Sequence, residues 1–354
     1  MPQANEIADL VTTTLRELGR GKWTDNSSAY LDTVALKILM TKNRTMLESG
    51  YEIQFNRSTS VGSNARFVTM GAPDIVTIPN VMSTGVVPWR HVTNNWAWEF
   101  REPLMNKSPS QIVELIKTRR IASIGDMIEL FERAIWRVPA VSDTVTIYGI
   151  PYYVVKSNTA VTATNRGFSG TAPTGYTTVA GINPTTDTRW RNYATQYTAI
   201  TKEDLVRKAR QMAKFTGFKP LVESTPEYAT GPAGPKREYY ANYATIAPME
   251  EMLEAQNENL GTDLAKYDGK TMFRGAPVNY VQELDNDTTN PLYQIDWSVM
   301  GIRGLKGAWM KETAVSQVPG QHTMSATHTD CTMNLVCYDR RKQGVLATDT
   351  TMPA

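Results

Sequence analysis

The sequence predicts an α+β protein, and three observations carry that prediction. A long apolar stripe at helical spacing starts from a full capping signal, Ser108-Pro-Ser-Gln111; strand-like alternation precedes it between Gly50 and Phe100; and the last third, from Lys270 on, is strand-rich and punctuated by Gly and Pro. With 354 residues and 41% hydrophobic content the chain can bury a sizeable core and divide into two or three modules.

The elements follow in order. Ile7, Val11, Leu15 and Leu18 are spaced as one helical face ending at Gly19, and Leu31, Ala35, Ile38 and Leu39 give a second stripe within residues 30–46. From Gly50 the period becomes two: Tyr51, Ile53 and Phe55 alternate with Glu52, Gln54 and Asn56, and Gly and Pro punctuate further strands up to Phe100. An extended β-hairpin is expected there. At Ser108 the N-cap Ser, the N1 Pro and the Gln three residues after the cap open a helix over 108–137, stopped before Pro139. Its Ile124, Met127, Ile128, Phe131 and Ile135 are expected to face a sheet made by the last third of the chain. Val141 to Ile200 reads as strands and long loops. Thr201-Lys-Glu-Asp204 opens a helix with Leu205, Ala209, Met212 and Ala213 inward, and a further helix is expected from Pro248 to about Leu260.

Little of the recognisable chemistry survives inspection. Gly269-Lys270-Thr271 ends like a phosphate loop, but the first glycine of that motif falls on Leu264. Gly301, Gly304 and Gly307 fit no dinucleotide fingerprint and are expected to permit strand bends or close packing. Asp285-Asn-Asp287 lacks the Gly and Glu of a calcium loop and reads as a hairpin turn. His91, His322 and His328 converge on no metal site, no Gly-x-Ser-x-Gly elbow occurs, and Cys331 and Cys337 read as reduced, buried thiols. No enzyme, cofactor or metal is expected. The formal net charge of +2, from 37 basic and 35 acidic residues, restricts any nucleic-acid contact to local patches. Lys202, Arg207, Lys208, Arg210, Lys214 and Lys219 form one such cluster, read as the wet side of an amphipathic helix. The opening residues lack a targeting pattern and no run is long enough to cross a bilayer, so no membrane partner is expected.

The most specific segment lies between Tyr239 and Asp296, where a polar helix leads into Lys270-Thr-Met-Phe-Arg-Gly-Ala-Pro-Val-Asn-Tyr280, an acidic turn and Pro291-Leu-Tyr-Gln-Ile-Asp-Trp297. Together with the module order before it, this resembles the tailed-phage major capsid family, the Hong Kong ninety-seven-type coat fold. The resemblance implies an N-arm over residues 1–48, an extended E-loop hairpin over 49–104, a peripheral domain from 105–139 and 267–354 that holds the long spine helix, and an axial domain over 140–266. It implies a major capsid protein that self-assembles as hexamers and pentamers of an icosahedral virion shell around double-stranded DNA, built in the host cytoplasm, with scaffold, portal and decoration proteins as further partners. Under that resemblance Trp89, Trp96, Trp98 and Phe100 are the interface residues, and Arg16, Arg20, Lys22, Lys117, Arg119 and Arg120 face the DNA without reading its sequence. Two other readings share features of the chain: an encapsulin-like protein nanocompartment shell, and a β-rich tail or decoration protein supported by the Thr- and Tyr-rich stretch from Val141 to Tyr197.

Overall fold

The computed structural model describes residues 32–41, 43–58, 66–71, 78, 81–102, 109–217, 236–257 and 271–348, without the side chains of 109–117 and 253–257. The first amphipathic stripe, the phosphate-loop-like Gly269-Lys270 and Lys219 of the basic cluster lie outside these residues. In chain order the elements are α1 (Val34–Thr41), β1 (Arg44–Leu47), β2 (Glu52–Ser58), β3 (Met82–Pro88), β4 (Arg90–Glu99), α2 (Pro109–Ile135) and the short α3 (Ile150–Tyr153). After β5 (Tyr193–Gln196) come α4 (Arg207–Phe215), β6 (Arg237–Ala241), α5 (Tyr243–Asn257), β7 (Met272–Phe273), β8 (Ala276–Tyr280) and β9 (Leu292–Asp296). The chain closes with β10 (Met300–Leu305), β11 (Lys311–Glu312), β12 (Ser316–Val318), β13 (Gln321–Cys337) and β14 (Gly344–Ala347). No helix among the described residues is long and apolar enough to cross a membrane.

Two compact units result. The smaller is built on His91–Glu132 and Gly307–Thr332. In it β11 and β12 pair antiparallel with β13, β4 also pairs with β13, and α2 lies along β4. Asn94 Nδ2 donates to the Ser123 carbonyl and an Arg119 Nη1 donates to the Ala97 carbonyl at 3.3 Å, which ties helix to strand. The apolar face of α2 is narrower than the stripe in the sequence. Met127 and Phe131 are buried, as is Ile135 farther along, whereas Ile128 is half-buried and Ile124 is exposed.

The larger unit comprises Val34–Arg90, Arg133–Lys306 and Met333 onward. Its main sheet runs β5-β14-β9-β6-β8-β7, and alternation along β6 explains its two dry faces. Tyr239 and Ala241 join Leu292 and Leu346 beneath α4 and α5, in one cluster with Leu205, Ala209, Met212, Ile246 and Met249. Tyr240 points the other way, against Trp136 and Trp297. Because β6 lies between β8 and β9, Asp285-Asn-Asp287 does not close a hairpin. It belongs to a 3₁₀ turn over Gln282–Asn286 whose end places Asp287 on Lys156.

Local signals explain most element ends. Thr201 accepts from the Asp204 N–H at 3.2 Å and opens a wide π-helical turn over Lys202–Val206 that leads into α4, with Leu205, Ala209, Met212 and Ala213 all buried. The next helix begins five residues earlier than Pro248 implied. Asn242 is its cap, accepting from the Thr245 N–H at 3.1 Å, and Pro248 sits inside α5. The stripe over residues 30–46 yields only α1, since β1 takes up Arg44–Leu47 as a parallel partner of β10. At Gly301 an added Cβ would fall 2.4 Å from the Asn43 carbonyl oxygen, so this glycine does permit a close approach.

Arg340 supplies a connection that no local signal announces. Its side chain is completely buried, Nε donating to the Tyr153 carbonyl at 2.7 Å and Nη1 to that of Trp190 at 2.8 Å. Nη2 donates to the Thr171 carbonyl at 2.6 Å and to Asn192 Oδ1 at 3.1 Å. One cation therefore joins four chain segments through neutral acceptors. Burial lowers its pKa to about 10, which still leaves it charged at neutral pH.

Candidate assembly surfaces

The strand pair β2–β3 is the first candidate surface. It is antiparallel, in register from Glu52↔Pro88 to Ser58↔Met82, and extends about 23 Å at roughly 3.3 Å per residue. Its base is anchored by side chains of one face. Phe55 packs edge-on to Tyr338 at 5.3 Å and lies 6.1 Å from Trp190. Gly85 stands opposite Phe55, and a Cβ there would come 2.3 Å from the ring, so the residue has to be glycine for the ring to lie flat on the strand. Arg57 pairs with Asp187 at 2.7 Å and covers the Trp190 ring at 4.7 Å, while the Val86 N–H donates to the Ala180 carbonyl.

Beyond this base the apolar residues face outward. Phe67, Val68, Met70, Ile78 and Met82 are all exposed, Phe67 and Met70 completely. Burying such a side chain is worth about 1.5–3 kcal/mol, so several grouped in one short stretch mark a surface that gains from a partner. The sequence predicts a hairpin in this region, but its interface candidates are Trp89, Trp96, Trp98 and Phe100, and these exposed residues are not among them. The available signal was large apolar residues in a segment punctuated by Gly and Pro, with no strand period to turn them inward.

The four aromatic candidates divide. Trp89 is half-buried, its Nε1 donating to the Gly50 carbonyl at 2.9 Å. Trp96 and Trp98, two apart on β4, share a face and stack at 5.0 Å, and Trp96 Nε1 is buried without an acceptor among the described residues. Phe100 is the exposed one.

The basic candidates do not gather into a cationic surface among the described residues. Arg16, Arg20 and Lys22 lie outside them, as does the Lys117 side chain. Arg119 forms a two-point pair with Glu102 at 2.6 and 3.0 Å, and Arg120 pairs with Glu312 at 2.6 Å. The run at 117–120 looked uncompensated because both acids come from distant parts of the sequence. On α4, by contrast, Arg207, Arg210 and Lys214 are exposed, and among the described residues only Lys208 has an ion pair, with Asp204 at 2.6 Å.

A cavity of about 260 Å³ in the larger unit is lined by Trp136, Lys156, Asp287 and Tyr293 among others. Lys156 Nζ is held there by Asp287 and by Thr289 Oγ1 at 2.7 Å. Burial lowers the Lys156 pKa against the opposing pull of Asp287. Among the described residues no three His, Cys, Asp or Glu side chains are placed to hold a metal ion. His91 Nδ1 lies 2.8 Å from Thr332 Oγ1, while His322 and His328 are exposed on β13. Cys331 and Cys337 are buried free thiols, and burial pushes Cys337 up to about 12.

The sequence matches no protein-family model and no curated protein. The structure, however, matches solved shells over nearly its whole length. In the capsid asymmetric unit of cyanophage A-1(L) the similar chain is 14% identical, with 96% of this chain and 99% of that one covered and a TM-score of 0.60. The capsid of Myoviridae phage XM1 gives 10% identity, 94% and 98% coverage and a TM-score of 0.54. The holo-SrpI encapsulin complex from Synechococcus elongatus PCC 7942 gives 12%, 97% of each chain and 0.52. At these identities it is the fold that is shared, and the chain therefore has the α+β coat fold of tailed-phage capsid subunits.

Proposed function

We propose that this chain is a major capsid protein, the structural subunit of an icosahedral virion shell that encloses double-stranded DNA. The observation that carries the reading is the end-to-end likeness to shell subunits, 96% of this chain against 99% of the cyanophage chain. The exposed apolar hairpin supports it, since a strand pair of this kind becomes stable by lying on a neighbour. In this reading residues 1–48 are the N-arm, 49–104 the E-loop, 105–139 with 267–354 the peripheral domain and 140–266 the axial domain. Phe100 and the hairpin apolars meet adjacent subunits, and Arg16, Arg20, Lys22 and Lys117 line the interior. Scaffold, portal and decoration proteins are further partners, and assembly takes place in the host cytoplasm. The role is architectural and requires no catalysis.

The encapsulin match favours a second reading with the same fold, a nanocompartment around protein cargo. Electron microscopy of the purified chain tests the first, with closed shells of uniform size expected. A particle-free preparation at every concentration and salt tried overturns it. Nuclease-protected DNA inside particles recovered from the native source supports the virion, and a single enclosed protein species supports the compartment.

A further inference from the structure

The two helices that cover one face of the main sheet carry opposite charge. α4 presents Arg207, Arg210 and Lys214, all exposed, and Arg274 reaches toward it with an Nη1 3.5 Å from the Arg210 carbonyl. α5, over Tyr243–Asn257, has no basic residue and exposes Glu250 and Glu251. Both helices bury their apolar sides in the same cluster, so both charged sides look away from the same sheet. Within the chain the two sets do not neutralise each other: no ion pair joins them among the described residues, and Glu250 accepts only from the Thr271 hydroxyl, at 2.5 Å.

We infer that this helical layer is a charge-complementary contact between copies of the chain, the α4 cations of one copy meeting the α5 carboxylates of another. The inference rests on the assembly reading above and names a contact within it. A nucleic-acid backbone is the competing occupant for α4, but phosphates laid on this layer would also meet Glu250 and Glu251, which repel them. A second copy satisfies both helices at once. Contacts of this kind set register and association rate and weaken as salt rises.

Charge exchange tests it. One variant carries R207E, R210E and K214E, a second carries E250K and E251K, and a third carries all five. Association is followed by analytical ultracentrifugation, and folding by circular dichroism. Each reversal alone should weaken association at least about tenfold at low salt, and the five-fold variant should regain most of it. An equimolar mixture of the first two should associate where neither does alone. Single reversals that associate like the parent overturn the contact, and so does failure of both the five-fold variant and the mixture to recover. Loss of DNA binding by the α4 variant, unrestored by the α5 changes, would assign α4 to nucleic acid instead. Failure of the capsid reading shows differently: the parent forms salt-sensitive small oligomers that the swap controls, yet never closes into a shell.

Discussion

The hairpin β2–β3 and the main sheet of the larger unit are written in the same period-two code but put it to opposite uses. In the sheet both faces are dry: Tyr239 and Tyr240, adjacent in sequence, point to opposite sides and both are essentially fully buried. In the hairpin Ile53, Phe55 and Val87 are buried at the base, while Phe67, Met70 and Ile78 beyond it are exposed. The sheet is completed by its own chain. In the proposed shell the hairpin is completed by a neighbouring copy, so lesions in the two regions should separate folding from assembly.

The largest separation is expected at Arg340. Arg340→Ala leaves the carbonyls of Tyr153, Thr171 and Trp190 without their donor inside the core, a loss on the order of 3 kcal/mol or more. Arg340→Lys should recover little, because an ammonium cannot reproduce the planar fork that reaches separate segments. Denaturant melts of the soluble subunit measure this. An Arg340→Ala chain as stable as the parent would show that the sheet side does not depend on this node.

The converse lesion is Phe67→Ser with Met70→Ser. Both side chains are completely exposed, so the subunit's unfolding free energy should change by less than about 0.5 kcal/mol while shell yield collapses. Parental shell yield would remove the hairpin from the assembly surface. A marked loss of subunit stability would show that the hairpin is closed by its own chain after all.

Gly85→Ala tests the hinge between the two behaviours. The new methyl must displace the Phe55 ring, which is held by Trp190 and Tyr338, so a cost of about 1–3 kcal/mol is expected. Because only the base is disturbed, assembly should fall further than the melting midpoint suggests. Combining it with Phe55→Ala, which empties the ring site, should relieve the clash, and an unrelieved double variant would argue against this packing.

How much of this was legible in the sequence follows from how far each signal reaches. The start of the long helix, the Thr201 cap and the Ile53/Phe55 alternation are settled within a few residues, and the structure has α2 from Pro109, the turn into α4 and β2 there. Pairings over long separations were not legible. Glu102 and Glu312 neutralise Arg119 and Arg120, β6 intervenes between β8 and β9, and Arg340 is drawn into the core by carbonyls up to 187 residues away. The aromatic candidates were ambiguous for a related reason. A Trp in an alternating strand reads equally well as interface or packing, and only the partner decides: the Gly50 carbonyl for Trp89, and each other for Trp96 and Trp98.

The smallest expected effect is a pH dependence confined to the sheet side. Asp204 lies ahead of α4, accepting from the Thr198 and Ala199 N–H groups at 2.6 and 3.0 Å and pairing with Lys208. Burial alone would raise its pKa, but Lys208 and the two N–H donors bring it down to about 2. The unfolded value is near 3.9, so the carboxylate's contribution is fully present above about pH 4 and is lost as the pH falls toward about 2. Asp204 is half-buried and its partner Lys208 is partly exposed, and solvent screening holds the effect to no more than about 1 kcal/mol. Asp204→Asn should therefore be slightly less stable at pH 7 and lose less of its stability than the parent between pH 4 and 2. Matching acid limbs for the two chains, measured by urea titration, would mean that this cap does not hold α4 onto the sheet.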